Sequence, residues 1–456
     1  VSILVPDQVY PVATKNGQLS EEQKAARERI YAAPLESLNP GDAHSFVNEE
    51  MWWKFERLRA EDPVHYTPES ESAHGAYWSI TKWDDIIAID TDTAQFSNEV
   101  STSLSLPGSN PSVLRMVGPD ATPAEVREAE IRGLPSLLSM DPPAHGIHRG
   151  AVSEGVSPAS LADFEPLIRE RIGTILDGLP IGEEFDWVDK VSMELTAMTL
   201  ATLFGYPQED RRQLTRWSDI LTTAEPGPGK IVETMAEKDQ AQQDFFAAFK
   251  NLIAQRATEE PKGDFISLMA HSPHMKDFTP AEIQGDASVL LIGGNDTTRN
   301  TLTGSVYALH LFPEQNEKLR ANPGLVASMV SETIRWQTPL THMSRRVHQD
   351  VEYGGKVIPK GDRVILWYVS GNRDDSKLDR PNEYIIDRKN PRQHLSFGFG
   401  IHRCLGNRLA ELQLRLTWEE ILKRFPEINV IGEPVRNESN FVKGYETMTV
   451  VIPRRL

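Results

Sequence analysis

The stretch His394-Leu-Ser-Phe-Gly-Phe-Gly-Ile-His402-Arg-Cys404-Leu-Gly-Asn-Arg-Leu-Ala-Glu-Leu412 constrains this chain more than any other, because it carries the only cysteine of 456 residues. Gly398, Gly400 and Gly406 permit backbone angles closed to other residues, so the chain can double back and gather its amides near the Cys404 sulfur. From Leu405 the apolar residues recur as Leu405, Leu409, Leu412 and Leu416, one face of a helix that ends before Pro426. Cys404 is therefore expected on the first turn of that helix, where free N–H groups and the positive end of the dipole favour a thiolate. A lone cysteine is most often a small buried hydrophobe. A permanent thiolate is a metal ligand.

The string Phe397-Gly-x-Gly-x-His402-x-Cys404-x-Gly406, followed by Leu409-Ala-Glu411, resembles the haem-binding loop of the cytochrome P450 family. The resemblance implies haem b with an axial thiolate from Cys404, and Phe397, His402 and Gly406 in the cofactor site. It also implies a mainly α fold with a small β-rich region, the haem lying between a long central helix and the cysteine-loop helix. Residues 1–45 are expected to form an N-terminal arm packed on the surface and residues 46–456 a single haem domain. Its β-rich corner is expected from about 51–90, 340–390 and 440–453, and its helical part from about 140–338 and 404–425.

Composition fits an enzyme rather than a nucleic-acid or membrane binder. With 39% hydrophobic and 25% charged residues a large core is available, while 48 basic against 66 acidic residues leave a net charge of −18. That balance disfavours phosphate backbones and anionic lipid surfaces. One cysteine excludes intrachain disulfides and fits a reducing cytosol. Val1–Tyr10 has no basic and apolar leader pattern and no segment is apolar enough to span a bilayer, so a cytoplasmic monomer without a membrane anchor is expected.

Along the chain, Glu21–Arg29 has a short helical pattern, Trp52, Trp53, Phe55 and Leu58 predict a helix ending near Pro63, and Val64–Tyr66 and Tyr77–Ile80 read as strands. From about Phe96 to Leu138 the chain is rich in Ser, Pro and Gly without a sustained period. A loop of that length is functional or disordered, and the resemblance implies a flexible lid over the substrate pocket. After Asp141-Pro-Pro143, His145 and Arg149 share one helical face; alone they are a solvated basic pair, and by resemblance they bind a haem propionate. Residues 160–260 read as helical scaffold with a loop through Pro226-Gly-Pro-Gly229.

Thr279-Pro280-Ala-Glu282 has capping-box spacing and opens a helix that can run to Pro313, roughly 33 residues or about 50 Å. At its centre stands Leu290-Leu-Ile-Gly293-Gly294-Asn-Asp296-Thr297-Thr298, poor helix formers where function can override stability. Without the resemblance this is a close helix crossing with threonines bonded back to the preceding turn. With it, the motif is similar to the family's oxygen-activation centre: Gly293 and Gly294 approach the haem, disturbed helix hydrogen bonds leave room for dioxygen, Thr297 orients the bound oxygen, and Asp296 belongs to a proton relay.

Glu332 and Arg335, by themselves a routine i,i+3 pair, resemble the family's buried Glu-x-x-Arg element, with Arg388 as third member. Arg345 is expected on a propionate, with Arg346 the alternative. Val289, Ile292, Leu340 and Met343 are candidate substrate-pocket residues by position. Val351–Tyr353, Val357–Ile358 and Val364–Tyr368 read as strands. The strings Gly293-Gly-Asn-Asp-Thr-Thr-Arg-Asn300, Arg335-Trp-Gln-Thr-Pro339, Trp367-Tyr-Val-Ser-Gly-Asn-Arg-Asp374 and Asn440-Phe-Val-Lys-Gly-Tyr445 are similar to the bacterial alkane and fatty-acid terminal hydroxylases; Tyr384 and the polar run Met343–Gln349 depart from that pattern. These strings imply a monooxygenase using O2 on the terminal methyl of a medium-chain alkane or fatty acid, fed by a [2Fe-2S] ferredoxin and its reductase docking near Arg392, Arg403, Arg408 and Lys423. The alternatives are the same chemistry on a terpene or steroid, or a haem-thiolate sensor or electron carrier.

Overall fold

The computed structural model describes residues 19–118, 120–223 and 225–456; the first 18 residues of the N-terminal arm lie outside the described residues. The longest element begins where its capping chemistry predicts. The Glu282 amide donates to the Thr279 hydroxyl, the Thr279 amide donates to the Glu282 carboxylate at 2.6 Å, and the helix runs Pro280–Leu311. Helices Glu194–Leu203, Arg211–Thr222, Val326–Gln337 and Asn407–Arg424 pack around it. Their apolar faces share one buried core that includes Leu195, Leu302, Ile334 and Leu416.

The β-rich region is a five-stranded sheet in the order Val64–Thr67, Tyr77–Ile80, Arg363–Leu366, Met343–Val347, Phe96–Ser97. Tyr77–Ile80 and Arg363–Leu366 run parallel and the other pairs antiparallel, so the helical part serves as the long crossover that a parallel pair requires. Strand alternation sends Arg345 and Arg346 to opposite faces. Thr449–Val451 pairs instead with Glu184–Asp186 and Asn429–Val430. Leu19, Ile30 and Leu38, from the described part of the arm, join Trp52, Trp53 and Trp367 in a buried cluster.

Three local readings change. The region from Phe96 to Leu138 contains helices Pro111–Val117 and Pro123–Arg132, each opened by a side-chain cap, Asn110 or Thr122, followed by proline. They are too short to establish a hydrophobic period, and the caps were their only sequence sign. The strand predicted to Tyr368 stops at Leu366, and Tyr368–Gly371 is a helical turn. The cysteine-loop helix starts at Asn407 with Gly406 as its cap, so Cys404 precedes the helix rather than lying on its first turn.

Buried His342 ties the sheet to the segment beyond Ser97. Its Nε2 accepts the Leu104 N–H at 3.0 Å, and its Nδ1–H donates to the Thr341 hydroxyl at 2.9 Å, whose own proton goes to the Asn440 carbonyl. Burial, with His74 and Arg363 adding repulsion, pushes its pKa down to about 3. Between the ordinary histidine value and about 3, the unfolded chain binds a proton that the folded chain excludes. The contribution is intact above about pH 6.5 and is lost as pH falls, by up to about 1.4 kcal/mol per pH unit. Urea unfolding between pH 7 and 5 will show this slope, and His342→Phe will flatten it.

Candidate active site

Between the central helix and the cysteine loop lies a cavity lined by residues of both elements. Val289, Gly293, Thr297 and Thr301, four residues apart, form its helical wall. The two central glycines have different tasks. A Cβ at Gly293 would meet nothing within 4 Å, so its absence keeps the wall low, whereas one at Gly294 would come within 2.6 Å of Leu200 Cδ2. The helix is unbroken here. The Thr297 hydroxyl donates to the Gly293 carbonyl at 2.8 Å, alongside the backbone of that turn.

The opposite wall is the cysteine loop, where Phe397, Gly398, His402, Cys404, Leu405 and Gly406 face the cavity. Gly398 and Gly400 hold φ of 64° and 66°, which only glycine adopts readily. The Cys404 amide donates to the Phe397 carbonyl at 2.8 Å, and the Asn407 side chain donates to the Cys404 carbonyl at 2.6 Å. Burial pushes the Cys404 thiol up, and the Gly406 amide, Arg149 and Arg403 oppose this without reversing it. The expected helix-stabilised thiolate is thus not a property of the loop alone; a coordinating metal deprotonates the thiol.

Buried polar atoms are nearly always paired, yet around this cavity His145 Nε2, Arg149 Nη1, Arg345 Nε, both His402 ring nitrogens and both Asn98 amide atoms have no partner. The His145 and His402 rings lie 4.1 Å apart, and Arg149 Nη2 donates to the Arg403 carbonyl at 2.7 Å. Burial, then His145, Arg345 and Arg149, push the His402 pKa down to about 3. Cationic and neutral donors converging on an otherwise apolar cavity, with one sulfur in its wall, fit a metal macrocycle bearing carboxylate arms.

The Cytochrome P450 family model matches residues 208–440. Linalool 8-monooxygenase of Pseudomonas putida is 32% identical across 87% of this chain and 94% of its own length. The chain is a cytochrome P450. The methyl-branched lipid omega-hydroxylase of Mycobacterium tuberculosis is 29% identical over 87% of this P450 and 90% of that protein. The solved cytochrome P450-153 from Novosphingobium aromaticivorans is 37% identical, covers 91% of this chain and 98% of its own, and superposes with a TM-score of 0.80. As a P450, the protein is a haem monooxygenase with an axial cysteine thiolate, and Cys404 is its only cysteine. Among the described residues no helix is long and apolar enough to cross a membrane.

The structure separates several sequence candidates. Arg345 lines the cavity, whereas Arg346 points away and pairs with Glu128 at 2.6 Å. Val289, Leu340 and Met343 line it; Ile292 does not, being turned off the Val289 and Gly293 face. Asp296 is also off the cavity. Its carboxylate pairs with Arg299 at 2.7 Å and accepts from the Ser218 hydroxyl at 3.1 Å. Arg403 and Arg408 are exposed beside the loop, but Lys423 sits about 24 Å along the helix from Asn407 and pairs with Glu420 at 2.7 Å.

Glu332, Arg335 and Arg388 do meet. Arg335 Nε and Nη2 each lie 2.8 Å from a Glu332 oxygen, and Arg388 Nε lies 3.0 Å from Oε2. Burial alone would raise the Glu332 pKa, but Arg335 and Arg388 hold it below the carboxylate range. Tyr384 fits the meander because its phenol shares a 2.6 Å hydrogen bond with Thr333. Asn98, Leu137 and Leu138 also line the cavity; they lie in the period-free region, where no local pattern marked them.

Proposed function

We propose that this P450 hydroxylates the terminal methyl of a medium-chain n-alkane or fatty acid with electrons from a [2Fe-2S] ferredoxin. The observation that carries the reading is the apolar cavity wall of Leu137, Leu138, Val289, Leu290, Leu340 and Met343, which holds a substrate by shape rather than by a charged handle. The subfamily strings and the 37% identity to the P450-153 structure support it, as does a relative named for omega-hydroxylation of a lipid. Linalool and steroid monooxygenases among the relatives keep a terpene or steroid as the second reading.

Haem supplies the redox chemistry: one oxygen atom of O2 enters a C–H bond and the other leaves as water, with two electrons and two protons drawn from outside. Cys404 ligates the iron, and His145, Arg149, Arg345 and His402 hold the propionates, matching their unpartnered nitrogens. Thr297 turns its hydroxyl proton from the Gly293 carbonyl toward the cavity. Asp296 relays a proton from behind it, because burial raises its pKa to about 6 against the pull of Arg299. Arg403 and Arg408 mark the docking face, a positive spot on a chain of net charge −18 that steers an acidic partner.

Spectral titration with n-alkanes, fatty acids, cyclic terpenes and steroids tests the substrate class. Linear chains are expected to give the low- to high-spin shift and a terminal alcohol; a shift confined to cyclic ligands would reject the reading. Thr297→Ala should consume oxygen without equivalent product, whereas a sensor or electron carrier would be indifferent to it.

A further inference from the structure

Asp90 is a buried acid, 1% exposed, near the C-terminal end of helix Trp83–Thr91. Both features are unfavourable: burial desolvates the carboxylate, and the helix terminus presents the negative end of the dipole. Such a residue is expected where function overrides stability. Its two oxygens gather donors from three separate elements. Oδ1 accepts from Arg345 Nη2; Oδ2 accepts from the Tyr368 hydroxyl at 3.0 Å and from the Phe399 amide at 2.7 Å. The backbone contributes as well, since a Cβ at Gly400 would stand 2.9 Å from the Asp90 carbonyl oxygen. The loop bearing Cys404 is thus seated on Asp90 through both side chain and main chain.

We infer that Asp90 is a positioning residue that joins Arg345 to the cysteine loop and sets the charge balance of the haem cradle. With Nη2 on Asp90 and Nη1 on the Ser344 carbonyl, Arg345 is held with its Nε unpartnered. Arg149 has no carboxylate partner and donates to a backbone carbonyl. Among the described residues the two cradle arginines are therefore unequal: Arg149 has no protein carboxylate on it, whereas Arg345 is already paired with Asp90. Removing the Asp90 charge leaves Arg345 a second cation beside the haem without a protein carboxylate, and the loss of one negative charge favours the reduced iron.

The test uses the haem-loaded protein without substrate, so its outcome is independent of the substrate reading. Asp90→Asn keeps an acceptor for the Phe399 amide and removes one negative charge; its iron reduction potential is expected to move positive. Asp90→Ala also loses the loop contact, and its haem transfer to apomyoglobin should accelerate roughly tenfold or more. A near-parent potential in Asp90→Asn overturns the inference, whether or not Asp90→Ala folds. Haem release within twofold of the parent in a folded Asp90→Ala overturns it equally.

Discussion

Glu332→Gln is expected to give a protein that folds poorly and retains little haem, rather than one with slowed chemistry. Glu332 and Arg335 side chains are 0% exposed, and the carboxylate also accepts the Ile385 amide at 2.8 Å. Arg335 donates further to the carbonyls of Asn372 and Pro381 at 2.9 and 2.8 Å, so the cluster joins helix Val326–Gln337 to the chain leading into the cysteine loop. Neutralising Glu332 leaves two guanidinium groups facing each other without their anion. Breaking a buried pair in this way costs about 3–5 kcal/mol, a large share of the roughly 5–15 kcal/mol that holds a domain. Haem content and the urea midpoint should both fall. A variant with normal haem content and midpoint but reduced turnover would assign Glu332 a chemical role instead.

The parts of this fold that could be read from the chain are those whose physics is local. The capping box at Thr279 and Glu282 is satisfied within one turn, and the Glu332–Arg335 pair lies at helical spacing. Tertiary pairings were less accessible. Choosing Arg345 over Arg346 requires knowing which sheet face meets the cavity, and Asp90 meets Arg345 across a separation of 255 residues. Nothing in Trp83-Asp-Asp-Ile-Ile-Ala-Ile-Asp90 distinguishes the last acid from its solvated neighbours. Asn98 is similar: its unpartnered amide becomes informative only once burial is known.

Cys404→Ser separates what the loop sulfur does from what the cradle does. The nitrogens of His145, Arg149, Arg345 and His402, proposed to bind the propionates, do not depend on the sulfur, so the variant is expected to keep a reduced amount of haem. Serine offers an oxygen that ionises far less readily than a thiol and donates less electron density to iron, and the thiolate push that favours O–O cleavage is lost. The reduced, carbon-monoxide-bound spectrum should then lack the thiolate-type Soret band, and hydroxylation should fall below detection even where substrate still binds. The chain cannot compensate, because no second cysteine exists in its 456 residues. A persistent thiolate-type band in this variant is therefore incompatible with Cys404 as the ligand, whereas loss of all haem would instead place the main anchorage of the cofactor on the sulfur rather than on the arginines and histidines around it.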